Sequence, residues 1–310
     1  MGKVFDDISE LIGDTPLISL DNIGKGLNGN LIAKVESFNP LGSVKDRIAY
    51  QMIEDAEKIG DLTENTTIVE PTRGNTGIGL SYITAIKGYD LILTMPENMS
   101  IERKKILRIF GTELIWTDEK KGMKGAVRKA EELLDKSEDH IMLKQFTNPS
   151  NPKAHRTKTA EEIWKDTEGN IDCFIAGIGT GGTITGVGEK LKEKDENITV
   201  IGIEPSKSPV LSEGKSGTHK IQGIGAGFVP EIINLDILDE VIKVNDEDAL
   251  TMSRELARKE GILAGLSSGA VVSAGIKVAN RKEFKDKNII MNLPNTGERY
   301  ISTELFENLD

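Results

Sequence analysis

Three stretches of the chain carry side chains whose types and spacing suit chemistry. The first is Asn39-Pro40-Leu41-Gly42-Ser43-Val44-Lys45-Asp46-Arg47. Asn-Pro and the following Gly signal a turn, and Ser43 then reads as the N-cap of a helix running through Ile48, Tyr50, Met52 and Ile53. Lys45 falls in the first turn, where a cation meets the positive end of the helix dipole. A lysine disfavoured as a cation gives up its proton more readily, and a neutral amine is what imine formation requires. The plainer reading of Lys45 is a surface side chain paired with Asp46 or another acid, and a lysine in isolation is read that way.

The second stretch is Gly177-Ile178-Gly179-Thr180-Gly181-Gly182-Thr183, between an apolar run and a helical pattern. Backbone N–H groups freed by closely spaced glycines converge on an anion, and the helix N-terminus adds partial positive charge. A tight strand–helix turn alone would not need four glycines and two threonines. The same loop also satisfies G-x-G-x-x-G from Gly177 through Gly179 to Gly182, with Glu204 placed where a dinucleotide fold holds a ribose. That match is weak by itself, and a whole α/β region that it does not explain precedes it.

The third stretch, Glu70-Pro71-Thr72-Arg73-Gly74-Asn75-Thr76-Gly77, again lies between a strand and a helix pattern. Its N–H groups and the Thr72 and Thr76 hydroxyls suit a carboxylate. Two anion sites and an awkwardly placed lysine fit a ligand with phosphate at one end and carboxylate at the other. An amino acid joined to pyridoxal phosphate has that shape.

The segments that must position these groups alternate in a βα rhythm. Strands are expected at 31–35, 67–70, 91–95, 113–116, 141–145, 171–176, 199–203, 241–244 and 289–293, with a strand–helix pair over 262–279. Helices are expected from Ser43 onward, at 77–87 closed by Gly88, from Ser100 through Phe110 with Gly111 after it, at 126–136, through Ala160, Ile163 and Trp164, up to Leu191, and from Asp246 to Gly261. Residues 205–238 show little periodicity and much glycine, too long for an ordinary connection. The alternation implies parallel sheets covered on both faces, an α/β fold. Asn148-Pro149-Ser150-Asn151-Pro152 marks a domain boundary.

Composition narrows the class further. A chain of 310 residues is long for one core, so two domains are expected. Its net charge of −11 argues against nucleic acid as a partner. No apolar run reaches the length of a membrane span, the acidic start is unlike a signal peptide, and a cytoplasmic protein is expected. The single cysteine, Cys173, suits a reducing compartment and lies in an apolar run as a buried, inert thiol. Three scattered histidines show no metal-ligand spacing.

With these residues in view, the chain resembles the cysteine synthases (O-acetylserine sulfhydrylases) of the fold-type-II pyridoxal-phosphate enzymes, and more loosely the cystathionine β-synthase catalytic core. The resemblance runs from Ile12-Gly13-Asp14-Thr15-Pro16-Leu17 to Gly297-Glu298-Arg299-Tyr300-Ile301-Ser302-Thr303. It implies pyridoxal 5'-phosphate as cofactor, Lys45 as the Schiff-base lysine, and Asn75 as the partner of the cofactor's phenolic oxygen. Gly179, Thr180, Gly181, Gly182 and Thr183 correspond to the phosphate cradle, and Ser267 in Gly-Leu-Ser-Ser-Gly to the hydroxyl facing the pyridine nitrogen. Thr72, Gly74, Thr76 and Gln145 correspond to the substrate-carboxylate pocket, and Gly225 to the loop at its mouth. The implied reaction is β-replacement on an O-activated serine through an aminoacrylate, O-acetyl-L-serine and sulfide giving L-cysteine and acetate.

The resemblance further implies two α/β domains, each a mostly parallel twisted sheet flanked by helices. Residues 40–150 form the smaller, with the carboxylate loop, and 1–39 plus 151–310 the larger, with the phosphate loop. A homodimer is implied, as is docking of the C-terminal tail of serine acetyltransferase in the carboxylate pocket. One position departs from the pattern. Arg73 stands where the family's loop has serine, and it bears on that docking. Either the guanidinium swings to solvent, or it offers a bidentate fork to a second carboxylate. In the latter case cysteine or homocysteine would be the nucleophile, giving lanthionine or cystathionine. Sulfide release from cysteine is a further variant of the same chemistry.

Overall fold

The structure, a computed structural model, describes residues 4–72 and 74–309. Its strands are β1 (Leu17–Ser19), β2 (Asn30–Val35), β3 (Thr67–Pro71), β4 (Asp90–Pro96), β5 (Glu113–Thr117), β6 (His140–Ile141), β7 (Cys173–Gly177), β8 (Thr199–Pro205), β9 (Glu240–Val244) and β10 (Asn288–Leu293). The α-helices are α1 (Lys45–Ile59), α2 (Asn75–Lys87), α3 (Ile101–Ile109), α4 (Gly122–Leu134), α5 (Ser150–Ala154), α6 (Ala160–Asp166), α7 (Gly182–Lys194), α8 (Val210–Glu213), α9 (Asp246–Glu260) and α10 (Leu266–Ala279). A π-helical segment, His155–Thr159, joins α5 to α6.

The strands form two sheets. One has the order β5-β4-β3-β6 and is parallel throughout. The other runs β1-β2-β10-β7-β8-β9, parallel except where β1 pairs antiparallel with β2. Successive residues of a strand face opposite sides, and in β7 both sides are core. Cys173 and Ile175 pack with Val271 and Ala274 of α10. Phe174 and Ala176 pack with Val187 and Leu191 of α7. The four-stranded sheet carries its own core, in which Ile68 and Leu93 meet Ile48 and Met52 of α1. Nearly continuous apolar strands are thus the consequence of helices on both faces.

Several expected details differ. The strand foreseen at 141–145 stops at Ile141. Beyond it the N–H groups of Lys144 and Gln145 donate to the buried Glu70 carboxylate, at 3.0 and 3.1 Å, instead of to a strand. Asn245 rather than Asp246 caps α9, accepting from the Asp248 N–H at 2.7 Å. Residues 262–264 form no strand, only an isolated bridge between Ala264 and Thr296. Ser100 precedes α3 without a capping bond, its hydroxyl donating to the Arg299 carbonyl at 3.2 Å. Among the described residues no helix is long and apolar enough to cross a membrane, and no cluster of acidic, histidine or cysteine side chains could hold a metal.

Candidate active site

Lys45 opens α1. Val44, not Ser43, occupies the cap position, and the Ser43 hydroxyl accepts from the Lys45 N–H at 3.2 Å. The turn before it is pinned to the exit of β10 by Val44 N–H to Pro294 carbonyl (2.8 Å) and Thr296 N–H to Gly42 carbonyl (3.0 Å). The surface-lysine reading fails here, because Asp46 is buried and accepts from the Leu41 N–H at 2.7 Å. Among the described residues the Lys45 ammonium has no ion-pair or hydrogen-bond partner. Burial pushes its pKa down to about 8, against the pull of Glu36. About one such amine in ten is neutral at pH 7, against about one in three thousand for an ordinary lysine.

A first prediction concerns this amine. Only its neutral form attacks an aldehyde, so capture of pyridoxal phosphate by cofactor-free protein should accelerate as pH rises from 6 and level off above about 8. Stopped-flow absorbance on mixing would follow it. A rise continuing unchanged to pH 10.5 would show an ordinary lysine at work.

Around Lys45 lies a buried ionic cluster that sequence reading missed. Arg47 donates to Glu36 at 2.7 and 2.9 Å and to Glu162 at 2.6 and 2.7 Å. Lys34 pairs with Glu162 at 2.8 Å and donates to the Thr15 carbonyl at 2.6 Å. Burial alone would raise the Glu162 pKa, but Arg47 and Lys34 outweigh it and hold the carboxyl at about 2. The cluster ties β2 and α6 to the helix whose first residue is Lys45. A lysine and a glutamate within the apolar strand region before the turn were its only sequence signal.

The loop after β7 brings together Gly179, Thr180, Gly181, Gly182 and Thr183. Gly181 (φ 87°) caps α7. A Cβ at Gly179 would lie 2.3 Å from the Gly223 carbonyl oxygen, so the close backbone approach excludes any larger residue. The two threonine hydroxyls are held from behind by side chains four residues apart on the α5–π segment. Asn151 donates to Thr180 Oγ1 at 3.0 Å and to the Gln145 carbonyl at 2.7 Å. His155 Nε2 lies 3.2 Å from Thr183 Oγ1, with Nδ1 3.0 Å from Thr159. Burial, and then the charges of Lys45 and Arg47, keep His155 neutral. Asn151 and His155 were unmarked in sequence because their significance lies in what they face.

The loop after β3 gathers the second set. Gly74 precedes α2 with φ 148°, and its N–H donates to Thr72 Oγ1 at 3.2 Å. Thr76 donates to Gln145 Oε1 at 2.7 Å, and Gln145 Nε2 to the Pro71 carbonyl at 3.1 Å. Asn75 accepts from Arg299 at 2.6 Å. Arg73 lies outside the described residues. Through Asn151 this pocket shares a side chain with the glycine loop.

Two further sequence candidates join the same region. The Gly225 N–H donates to the Ile178 carbonyl at 2.9 Å, setting it beside the glycine loop. Ser267 stands in the first turn of α10 rather than at its cap, which is Gly265. Its hydroxyl donates to Asn295 Oδ1 at 3.4 Å, next to the bridge between Asn295 and Ser43. Glu204 serves neither site: its carboxylate accepts from the Leu211 and Ser212 N–H groups at 2.8 and 3.1 Å, so a ribose role falls away.

A family model described as pyridoxal-phosphate dependent enzyme matches residues 8–295. The chain belongs to that family. It is 50% identical to the cysteine synthase of Buchnera aphidicola subsp. Schizaphis graminum, over 99% of this chain and 97% of that protein. Cysteine synthase A of Escherichia coli (strain K12) is likewise 50% identical, over 100% of this chain and 98% of that one. Among solved structures, cysteine synthase from Entamoeba histolytica superposes with a TM-score of 0.96 at 42% identity, covering 99% of this chain and 92% of that one. A hydrogen sulfide-producing enzyme from Fusobacterium nucleatum follows with 0.93 at 44% identity, covering 96% and 100%.

The family's cofactor suits what is present here. An aldehyde needs a neutral amine, and Lys45 is half-buried with its proton loosened by desolvation. A phosphate needs converging donors on a tightly packed glycine loop, and 179–183 has that form.

Proposed function

We propose that the protein joins an O-activated L-serine to sulfide, with O-acetyl-L-serine and sulfide giving L-cysteine and acetate. The observations that carry this reading are a half-buried, unpaired lysine at the start of α1 and two strand–helix loops suited to a phosphate and a carboxylate. Full-length similarity to cysteine synthases supports the choice of substrates.

In this reading Lys45 holds pyridoxal phosphate in the resting enzyme, and Gly179, Thr180, Gly181, Gly182 and Thr183 grip its phosphate. Asn75 meets its phenolic oxygen and Ser267 its pyridine nitrogen. The cofactor, when bound, supplies the electron sink that acidifies the substrate's α-proton. Thr72, Gly74, Thr76 and Gln145 orient the α-carboxylate, Gly225 lines the entrance, and the neutral Lys45 amine takes the Cα proton. A serine opposite the pyridine nitrogen leaves that nitrogen unprotonated, which favours loss of the β-substituent over transamination.

We assign residues 40–150 to a smaller domain and 1–39 with 151–310 to a larger one, with the substrate carboxylate drawing the first toward the second. A homodimer accords with the exposed apolar side chains Val4, Ile8 and Leu11 on one terminal segment, and a cytoplasmic setting with the single buried thiol. Arg73, between Thr72 and Gly74, favours a second reading in which a carboxylate-bearing thiol is the nucleophile. It would also disfavour binding of a serine acetyltransferase tail.

A substrate panel with product mass analysis tests both. The first reading expects cysteine from O-acetylserine and sulfide as the fastest product. Arg73→Ser should then leave the relative kcat/KM for sulfide, cysteine and homocysteine unchanged. Under the second reading the substitution lowers kcat/KM for the two carboxylate-bearing thiols about tenfold relative to sulfide, the scale of one charge-assisted contact.

A further inference from the structure

Arg299 follows β10 in a short 3-10 turn (Glu298–Tyr300) and is 3% exposed. Its side chain crosses to the first residue of α2, where Nη1 donates to Asn75 Oδ1 at 2.6 Å. A guanidinium carries only donors. The amide atom that meets it must therefore be the carbonyl oxygen, whichever way an isolated asparagine would turn. The amide nitrogen is then aimed away from Arg299, and Asn75 turns its donors, not its carbonyl oxygen, toward a ligand on that side.

Burial disfavours the Arg299 cation, the Asp46 carboxylate offsets this in part, and the neighbouring Arg103 opposes it again. No carboxylate pairs directly with Arg299 among the described residues. A buried guanidinium held with so little compensation is an expensive way to bond one amide. A glutamine would reach Asn75 at less cost, but it both donates and accepts, so it would tolerate either orientation of the amide.

We propose that Arg299 is a positioning residue that locks Asn75 as a donor, so that the site selects a ligand oxygen retaining its lone pairs. This rests on the proposed placement of the cofactor's phenolic oxygen at Asn75. In that case Arg299 favours the phenolate over the phenol without touching the cofactor.

The test uses cofactor-free protein titrated with pyridoxal phosphate, reading the dissociation constant and the visible absorption maximum, with thermal melts of each variant alongside. Arg299→Gln should weaken binding about tenfold and shift the band, while Arg299→Lys, which still only donates, stays within about threefold of wild type. In an Asn75→Ala background Arg299→Gln should have no further effect. Asn75→Asp keeps Arg299 satisfied but turns an acceptor toward the ligand, so it should bind more weakly than Asn75→Ala. That comparison leaves Arg299 untouched and stands even if its variants fold poorly.

Additive losses in the double variant, or Asn75→Asp binding as well as Asn75→Ala, overturn the positioning role alone. A wild-type protein that forms no visible band overturns the cofactor reading and the inference with it.

Discussion

Lys45→Ala should lower kcat for β-replacement by at least about a thousandfold, a loss within the range for removing a positioned proton-transfer group. The folded state should survive this change. Lys45 forms no ion pair among the described residues, and its charge is disfavoured by burial. A truncation there removes a strained cation and leaves Glu36 satisfied by Arg47, Thr15 and Asn39. Thermal melts of the two cofactor-free proteins should thus nearly coincide while the rates part. Added small amines should restore part of the rate, because the missing group is one neutral nitrogen. A variant that keeps more than a tenth of wild-type kcat would remove Lys45 from the chemistry.

Arg47→Met is the second large effect, and it acts on stability. It leaves Glu36 and Glu162 without their main partner, and Glu36 is fully buried. Breaking a buried pair on one side costs about 3–5 kcal/mol, which lowers the melting temperature on the order of 10 °C. The pH dependence separates this from a simple packing loss. In the wild type the Glu162 pKa is depressed from 4.5 to about 2, so its contribution is full above 4.5 and is lost as pH falls toward 2. Removing Arg47 removes the larger part of that contribution and leaves only Lys34's share, so the gap between the two proteins should narrow through the same window. A gap unchanged from pH 6 to pH 3, followed by fluorescence in urea, would contradict this account of the cluster.

The same two residues show how far the sequence can be read. The turn, the helix and the importance of Lys45 follow from local rules, since turn residues, a cap signal and a cation in the first turn lie within a few positions. Loop 177–183 is legible for a similar reason: glycine spacing and the strand before it state its shape. The α/β class follows from periodicity, because parallel strands buried on both faces are apolar throughout.

Long-range partners are a different matter. Arg47 meets Glu162, 115 positions later, and Arg299 meets Asn75 across 224. Nothing local marks His155 as the residue behind Thr183, since a buried histidine looks like any other until its two nitrogens are placed. The strand foreseen over 141–145 failed for the same physical reason. The Glu70 carboxylate, distant in sequence, takes the N–H groups that a ladder would have used. The rules of caps and turns assigned Ser43 and Asp246 one place from the actual caps, which is the usual uncertainty of a helix end.

The central claim is that the Lys45 amine binds the aldehyde of pyridoxal phosphate while the 179–183 loop holds its phosphate. Borohydride reduction of the cofactor-loaded protein fixes that bond covalently, and peptide mass mapping then reports which lysine carries it. The account predicts a single labelled peptide with the cofactor on Lys45, absent from Lys45→Ala. Label on another lysine, or undiminished label in that variant, would contradict it.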